Sequence, residues 1–240
     1  MFTIALIGPD GTGKSTISKK LQDLLPLPTK YIYMGINQEA TNVALPTTLL
    51  WKKIKRASGR QTEMGGPPNP NRLQPPPKNP LKRIARDLKS GLRIANLIAE
   101  EWFRQFVTWY YISRGYVVIF DRHFYFDYYK YHIANNRVGR TFSERVHGFM
   151  LNRIFPKPDL VIFLDAPAEV LFARKREGSV ELLEQRRQEY LQFQGMVKRF
   201  ITVDTTQSVD EVAHQVCNLI MDYYHSKKGA REVLSKSEVK

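Results

Sequence analysis

The sequence predicts an α/β fold: a parallel β-sheet of about five strands flanked by helices on both faces. Three observations predict it. Short apolar runs alternate with stretches of 3.6-residue periodicity, the first run leads straight into a glycine-rich turn, and later runs end on acidic residues. At 240 residues, 42% hydrophobic and 25% charged, the chain suits one packed domain and excludes collagen-like, disulfide-framework and wholly disordered classes.

The elements follow in order. Thr3-Ile4-Ala5-Leu6-Ile7 is apolar and rich in β-branched side chains, the pattern of a strand buried on both faces. Gly8-Pro9-Asp10-Gly11-Thr12-Gly13-Lys14-Ser15 is the turn that follows. Ile17, Leu21, Leu24 and Leu25 then recur at helical spacing until Pro26 and Pro28 stop them. Tyr31-Ile32-Tyr33-Met34 reads as a second strand. Periodicity is lost from about Asn37 to Pro80, and seven of the fourteen prolines lie between Pro67 and Pro80. Proline removes donors and blocks both regular structures, so about Arg56 to Pro80 is expected to be an extended, mobile loop. Leu81, Ile84, Leu88, Leu92, Ala95, Ile98 and Trp102 mark a long helix to about Ser113, with Gly115 as its stop. Val117 to Phe120 is a strand ending at Asp121-Arg122-His123, and Leu160 to Leu164 another ending at Asp165. Phe200 to Val203 is the last, before a helix from about Val209 to Tyr224.

This reading gives a single domain over 1–225, interrupted by a proline-rich basic insertion at about 52–80 and followed by a basic, disordered tail at 226–240. The charge is distributed accordingly. Of the net +14, ten charges come from Lys52 to Arg93 and three from Ser226 to Lys240. No apolar run approaches the ~18 residues that span a bilayer, and Phe2 to Ile7 has no basic flank or cleavage site. The lone Cys217 cannot form an internal disulfide and is expected on a buried helix face. A cytoplasmic location is the expectation.

Gly8-x-x-x-x-Gly13-Lys14-Ser15 has the spacing of a phosphate-binding loop, the Walker A pattern. Glycines let backbone amides turn inward around a phosphate, and the following helix presents its positive end. Lys14 reaches the β and γ phosphates and the Ser15 hydroxyl ligates magnesium. Gly8, Asp10, Gly11, Thr12, Gly13, Lys14, Ser15 and Thr16 are therefore the candidate nucleotide-binding residues, with ATP and Mg2+ as cofactors. At the end of a later strand, Asp121 is placed to support magnesium or receive the acceptor's proton, and Arg122 to hold an acceptor phosphate bidentately. A strand-end ion pair is the competing reading of these two. The aromatic run Phe124, Tyr125, Phe126, Tyr128, Tyr129 and Tyr131 reads first as core and second as a stacking surface for a ligand ring. The five histidines have no metal-ligand spacing.

With these residues in view, the chain resembles the thymidylate kinase branch of the P-loop nucleoside monophosphate kinases. The resemblance rests on Ile7 to Thr16, on Asp121-Arg122-His123 beside that family's Asp-Arg-Tyr motif, and on Pro158 to Val170. It covers about residues 1–34 and 95–225 and leaves out the insertion. It implies ATP:nucleoside monophosphate phosphotransfer, a P-loop kinase fold, Asp10 contacting the acceptor sugar, Arg122 contacting the acceptor phosphate, and a homodimer. Some members carry an arginine where this chain has Gly11, so transition-state charge must be met from a lid resembling Arg174 to Arg187. Arg174 and Arg176 are the leading catalytic candidates there, beside Lys14, Asp121 and Arg122. A solvated helix face paired with Glu177, Glu181 and Glu184 is the bland alternative.

Departures from the pattern fall on acceptor recognition. Ile7 stands where the family has Glu, Phe126 and Tyr131 stand where it has Ser and Gln, and Glu100 falls at the base-reading arginine, with Arg104 one turn later. A thymidine monophosphate-like acceptor leads. The alternatives are a kinase of another small acceptor, such as a nucleoside or sugar, or a regulatory ATPase whose basic insert touches nucleic acid or an anionic membrane surface.

Overall fold

The structure is a computed structural model and describes residues 1–37, 40–57, 80–134, 141–176 and 178–237. Five strands, β1 (Thr3–Ile7), β2 (Thr29–Tyr33), β3 (Val117–Asp121), β4 (Leu160–Asp165) and β5 (Phe200–Asp204), form one sheet in the order β2-β3-β1-β4-β5. Every pairing is parallel, and the predicted α/β class holds.

Alternation along the strands builds two cores. Ile4 and Leu6 of β1 face α1 (Lys14–Leu24) and α8 (Val209–Ser237), packing with Ile17, Leu21, Val212, Val216 and Ile220. Ala5 and Ile7 face the opposite way, into Phe120, Phe124, Phe163, Leu151 and Phe155. That second face is covered by α3 (Pro80–Ser113), α4 (Phe124–Tyr128) and α5 (Phe142–Arg153). The chain runs from β1 to β2 and β3 on one side of β1 and then crosses from β3 to β4 on the other, and that reversal opens a crevice at the carboxyl ends of the central strands, where ligands bind in such sheets.

Cys217 is free and buried on α8, as expected. Gly115, at φ +85°, stops α3 two residues before β3. Two expectations need correcting. Residues Pro46–Ala57 form a helix, α2, although the sequence there showed no core-facing period. Its Leu49, Leu50 and Ile54 are exposed, so no buried stripe marks it. The segment expected to be a disordered tail is helical as far as Ser237, because α8 continues through it. The expected proline-rich loop lies outside the described residues over 58–79. No helix of the described residues is long and apolar enough to cross a membrane.

Candidate active site

The glycine-rich turn leaves β1 and closes on the first residues of α1. Gly8, Gly11 and Gly13 all have positive φ. At Gly11 the requirement is twofold: φ is +93°, and a Cβ would lie 2.9 Å from the Leu171 carbonyl oxygen. An arginine on this backbone would have to move α6 (Ala168–Lys175) as well as adopt a strained φ. Lys14 Nζ donates to the Pro9 carbonyl at 2.5 Å and to Thr12 Oγ1 at 3.3 Å. Burial, aided by the nearby Arg122, pushes its amine down to about 7 against the attraction of Asp10, Asp121 and Asp127.

Asp121 ends β3 beside that loop and is 0% exposed. Its Oδ2 accepts from Ser15 Oγ at 2.5 Å and from Tyr31 Oη at 3.0 Å. Its Oδ1 is buried with no hydrogen-bond partner among the described residues. A hydroxyl beside a carboxylate with an unsatisfied oxygen is an all-oxygen donor set of the kind hard cations take, so Ser15 and Asp121 fit magnesium.

Arg122 adopts φ 66°, an uncommon left-handed conformation for a side-chain-bearing residue. Its amide donates to the Leu6 carbonyl at 3.0 Å, and its side chain passes against Gly35, where a Cβ would meet Arg122 Cδ at 2.7 Å. The guanidinium reaches Asp10 Oδ1 at 2.5 Å. Burial would lower the Arg122 pKa, but Asp127, Tyr190, Asp10 and Tyr33 outweigh it and hold the group above its ordinary value. The other oxygen of Asp10 accepts from Arg186 Nη1 at 2.7 Å. Burial would raise the Asp10 carboxyl, yet Arg122, Lys14 and Arg186 hold it well below the usual carboxylate range.

The predicted residues thus divide. Lys14, Ser15, Asp10, Asp121 and Arg122 converge on one crevice, while Arg174 and Arg176 do not join them. Arg174 Nη2 donates to the Thr205 carbonyl at 2.7 Å, past the end of β5, and Arg176 is an exposed C-cap of α6. The arginine on the phosphate loop is Arg186, from α7 (Val180–Leu191), and its neighbour Arg187 holds Asp165 through two bonds of 2.7 and 2.8 Å. Sequence reasoning placed Arg186 in the lid stretch without preferring it. The available signal was its i,i+4 relation to Tyr190, which puts both on the helix face toward Arg122. Tyr31 and Asp127 were missed outright.

The acceptor side of the crevice also departs from expectation. Arg104 is 2% exposed, donates to the carbonyls of Gly35 at 3.1 Å and Tyr33 at 3.4 Å, and lies 5.1 Å from the Phe124 ring. It braces the chain after β2. Glu100 accepts from the Leu45 amide, so it fixes the entry to α2. Phe124, Tyr125, Phe126 and Tyr128 are core residues. His123 caps α4, its Nδ1 accepting from the Tyr125 amide at 3.2 Å, and burial pushes it down to about 3.

A phosphate-binding loop at the switch point of a parallel sheet, with a lysine, a metal-competent acid and two arginines around it, defines a P-loop kinase. A sequence model of the family described as thymidylate kinase matches residues 79–216. The chain belongs to the thymidylate kinase family. It is 26% identical to the probable thymidylate kinase of Archaeoglobus fulgidus over 234 residues, 95% of this chain and 98% of that one. It is 31% identical to the thymidylate kinase of Thermosipho melanesiensis over 117 residues, 45% of this chain and 57% of the relative. A solved deoxyadenosine kinase from M. mycoides aligns over 92% of this chain and 99% of that one at TM-score 0.46 and 17% identity.

Proposed function

We propose that the protein transfers the γ-phosphate of ATP, with Mg2+, to a nucleoside monophosphate of the thymidylate type. The observation that carries this reading is the convergence of three groups at one set of strand ends. Lys14 stands in the phosphate loop, Ser15 and Asp121 form an oxygen donor pair, and Arg122 and Arg186 share Asp10. Magnesium, held by Ser15 with Asp121 beside it, would neutralise charge on the phosphate oxygens. Lys14 binds the same phosphates, Arg122 orients the acceptor phosphate, and Arg186 on α7 takes up charge as the group passes in line. Because the Gly11 backbone disfavours a side chain, that last charge comes from α7 rather than from the loop.

The cytoplasm is the proposed location, in keeping with a single free cysteine. A second copy of the chain is the proposed partner, covering the apolar face that α3 and α5 leave exposed.

Turnover of magnesium-ATP with a panel of nucleoside monophosphates, nucleosides and sugars, with products identified by mass, tests the function. Thymidine or deoxyuridine diphosphate is the expected product, lost in Lys14→Ala and Arg122→Ala. Phosphorylation of a nucleoside or sugar instead would move the acceptor. Hydrolysis without transfer would overturn the reading.

A further inference from the structure

Asp121 is held from two directions at one oxygen. Ser15 Oγ, in the first turn of α1, donates to its Oδ2 at 2.5 Å, and Tyr31 Oη, from β2, donates to the same atom at 3.0 Å. Oδ1 is left buried with no hydrogen-bond partner among the described residues. The last torsion of an aspartate is broad, so a single donor would leave the carboxylate room to swing. Two donors from separate elements fix its plane, and with it the direction of the unpartnered oxygen.

The sheet register puts the tyrosine within reach. In the parallel pairing of β2 with β3, Tyr31 lies opposite Ile119 and Tyr33 opposite Asp121. Residues paired in this way share a face, and Ile119 belongs to the core built with Ile17 and Leu21 of α1. Tyr31 therefore stands on the α1 side, two residues behind the level of Asp121, and its ring carries the hydroxyl forward to the carboxylate. Its backbone is anchored as well. β2 is an edge strand, and Asn42 closes that edge: its Nδ2 donates to the Tyr31 carbonyl at 2.9 Å and its Oδ1 accepts from the Tyr33 amide at 2.9 Å. One side-chain amide thus takes the place of a neighbouring strand at the residue whose hydroxyl holds Asp121.

We infer that Tyr31 is a positioning residue for magnesium, its hydroxyl locking the Asp121 carboxylate so that Oδ1 is kept for the cation that Ser15 also serves. The inference rests on the magnesium-ATP reading of the site. Tyr31 acts through Asp121, and its hydroxyl is the group that an aromatic core position would not require.

Equilibrium binding separates this role from catalysis. The probe is the non-hydrolysable imido analogue of ATP, titrated calorimetrically into wild type and Tyr31→Phe, once with Mg2+ and once with EDTA. The phenylalanine keeps the ring and removes only the hydroxyl. Wild type should bind the analogue more tightly with Mg2+, and Tyr31→Phe should lose roughly tenfold of that gain, the usual effect of removing a group that orients a metal ligand. Its affinity in EDTA should stay within about twofold of wild type. A hydroxyl that served packing alone would shift both conditions alike, so an equal loss with and without metal overturns the inference. Retention of the whole Mg2+ gain by Tyr31→Phe also overturns it and leaves the kinase reading in place. Wild type that binds the analogue equally with and without Mg2+ overturns the magnesium assignment to Ser15 and Asp121, and the inference with it.

Discussion

Lys14 connects burial to chemistry most directly. Packed against Pro9 and Thr12, its amine is held down at about 7, where an ordinary lysine titrates at 10.5. A phosphate would supply opposite charge in place of the hydration that burial removed, which favours the ammonium form. On the proposed function, ATP bound at Lys14 should therefore bring a proton with it between those two values. Calorimetric titration of ATP at pH 8, in two buffers of different ionisation enthalpy, should show uptake approaching one proton. Identical apparent enthalpies in both buffers would mean that Lys14 is already charged. Lys14, Ser15 and Gly13 were legible in the sequence because phosphate binding demands them at fixed local spacing. Tyr31 and Asp127 were not, since their significance comes from neighbours 90 and 91 residues away along the chain, Asp121 and Ile36.

Among the elements, α7 separates what pattern can tell from what packing decides. Charge runs in sequence are ambiguous between a solvated face and a site, and here one helix does both. Glu184 joins Arg187, while Arg186 and Tyr190 turn toward the phosphate loop and Arg122. Arg174, the residue favoured by its place in the lid stretch, is instead committed to the carbonyl of Thr205. Arg186→Ala should therefore lower kcat by roughly 10²–10³-fold with a modest change in KM for ATP. Arg174→Ala should keep kcat within about threefold and raise KM for ATP, because it loosens the segment after β5 without touching the transferred group. Steady-state kinetics with ATP varied decides between them, and the reverse ranking would return the role to the end of α6. The strands could be read as short apolar runs, and α1, α3 and α8 from helical periodicity, although Leu88 and Leu92 of the α3 stripe are exposed, so period alone did not say what that stripe packs against. α2 could not, since its apolar side chains at Leu49, Leu50 and Ile54 are left outside any core.

At the scale of the whole molecule, the sheet order gathers β1 and β3 so that the phosphate loop, Asp121 and Arg122 come from adjacent strands of one chain. Every residue assigned to the reaction comes from one chain. The apolar surface on the other side of α3 and α5 calls for a separate explanation. Phe106 and Trp109 on α3 are 57% and 42% exposed, and Phe142, Val146 and Phe149 at i, i+4 and i+7 on α5 are 76%, 43% and 63% exposed. Trp102 joins the two helices, its Nε1 donating to Met150 Sδ at 3.3 Å, and its ring meets Phe106 and Trp109 at 6.0 Å each. Exposed aromatic and apolar side chains gathered on two packed helices are costly to leave in water and are a usual mark of a protein contact. A homodimer through it predicts that the protein sediments at twice its chain mass at micromolar concentration, and that Phe149→Glu sediments as a monomer. Phe149 lies outside both cores, so that variant should still unfold cooperatively, with a midpoint lowered only by the lost association and independent of protein concentration. Its kcat per chain should also stay within about twofold, because every group assigned to the reaction comes from one copy. A monomeric parent would sink the dimer. A dissociated variant that folds normally but loses turnover would show instead that the second copy shapes the site.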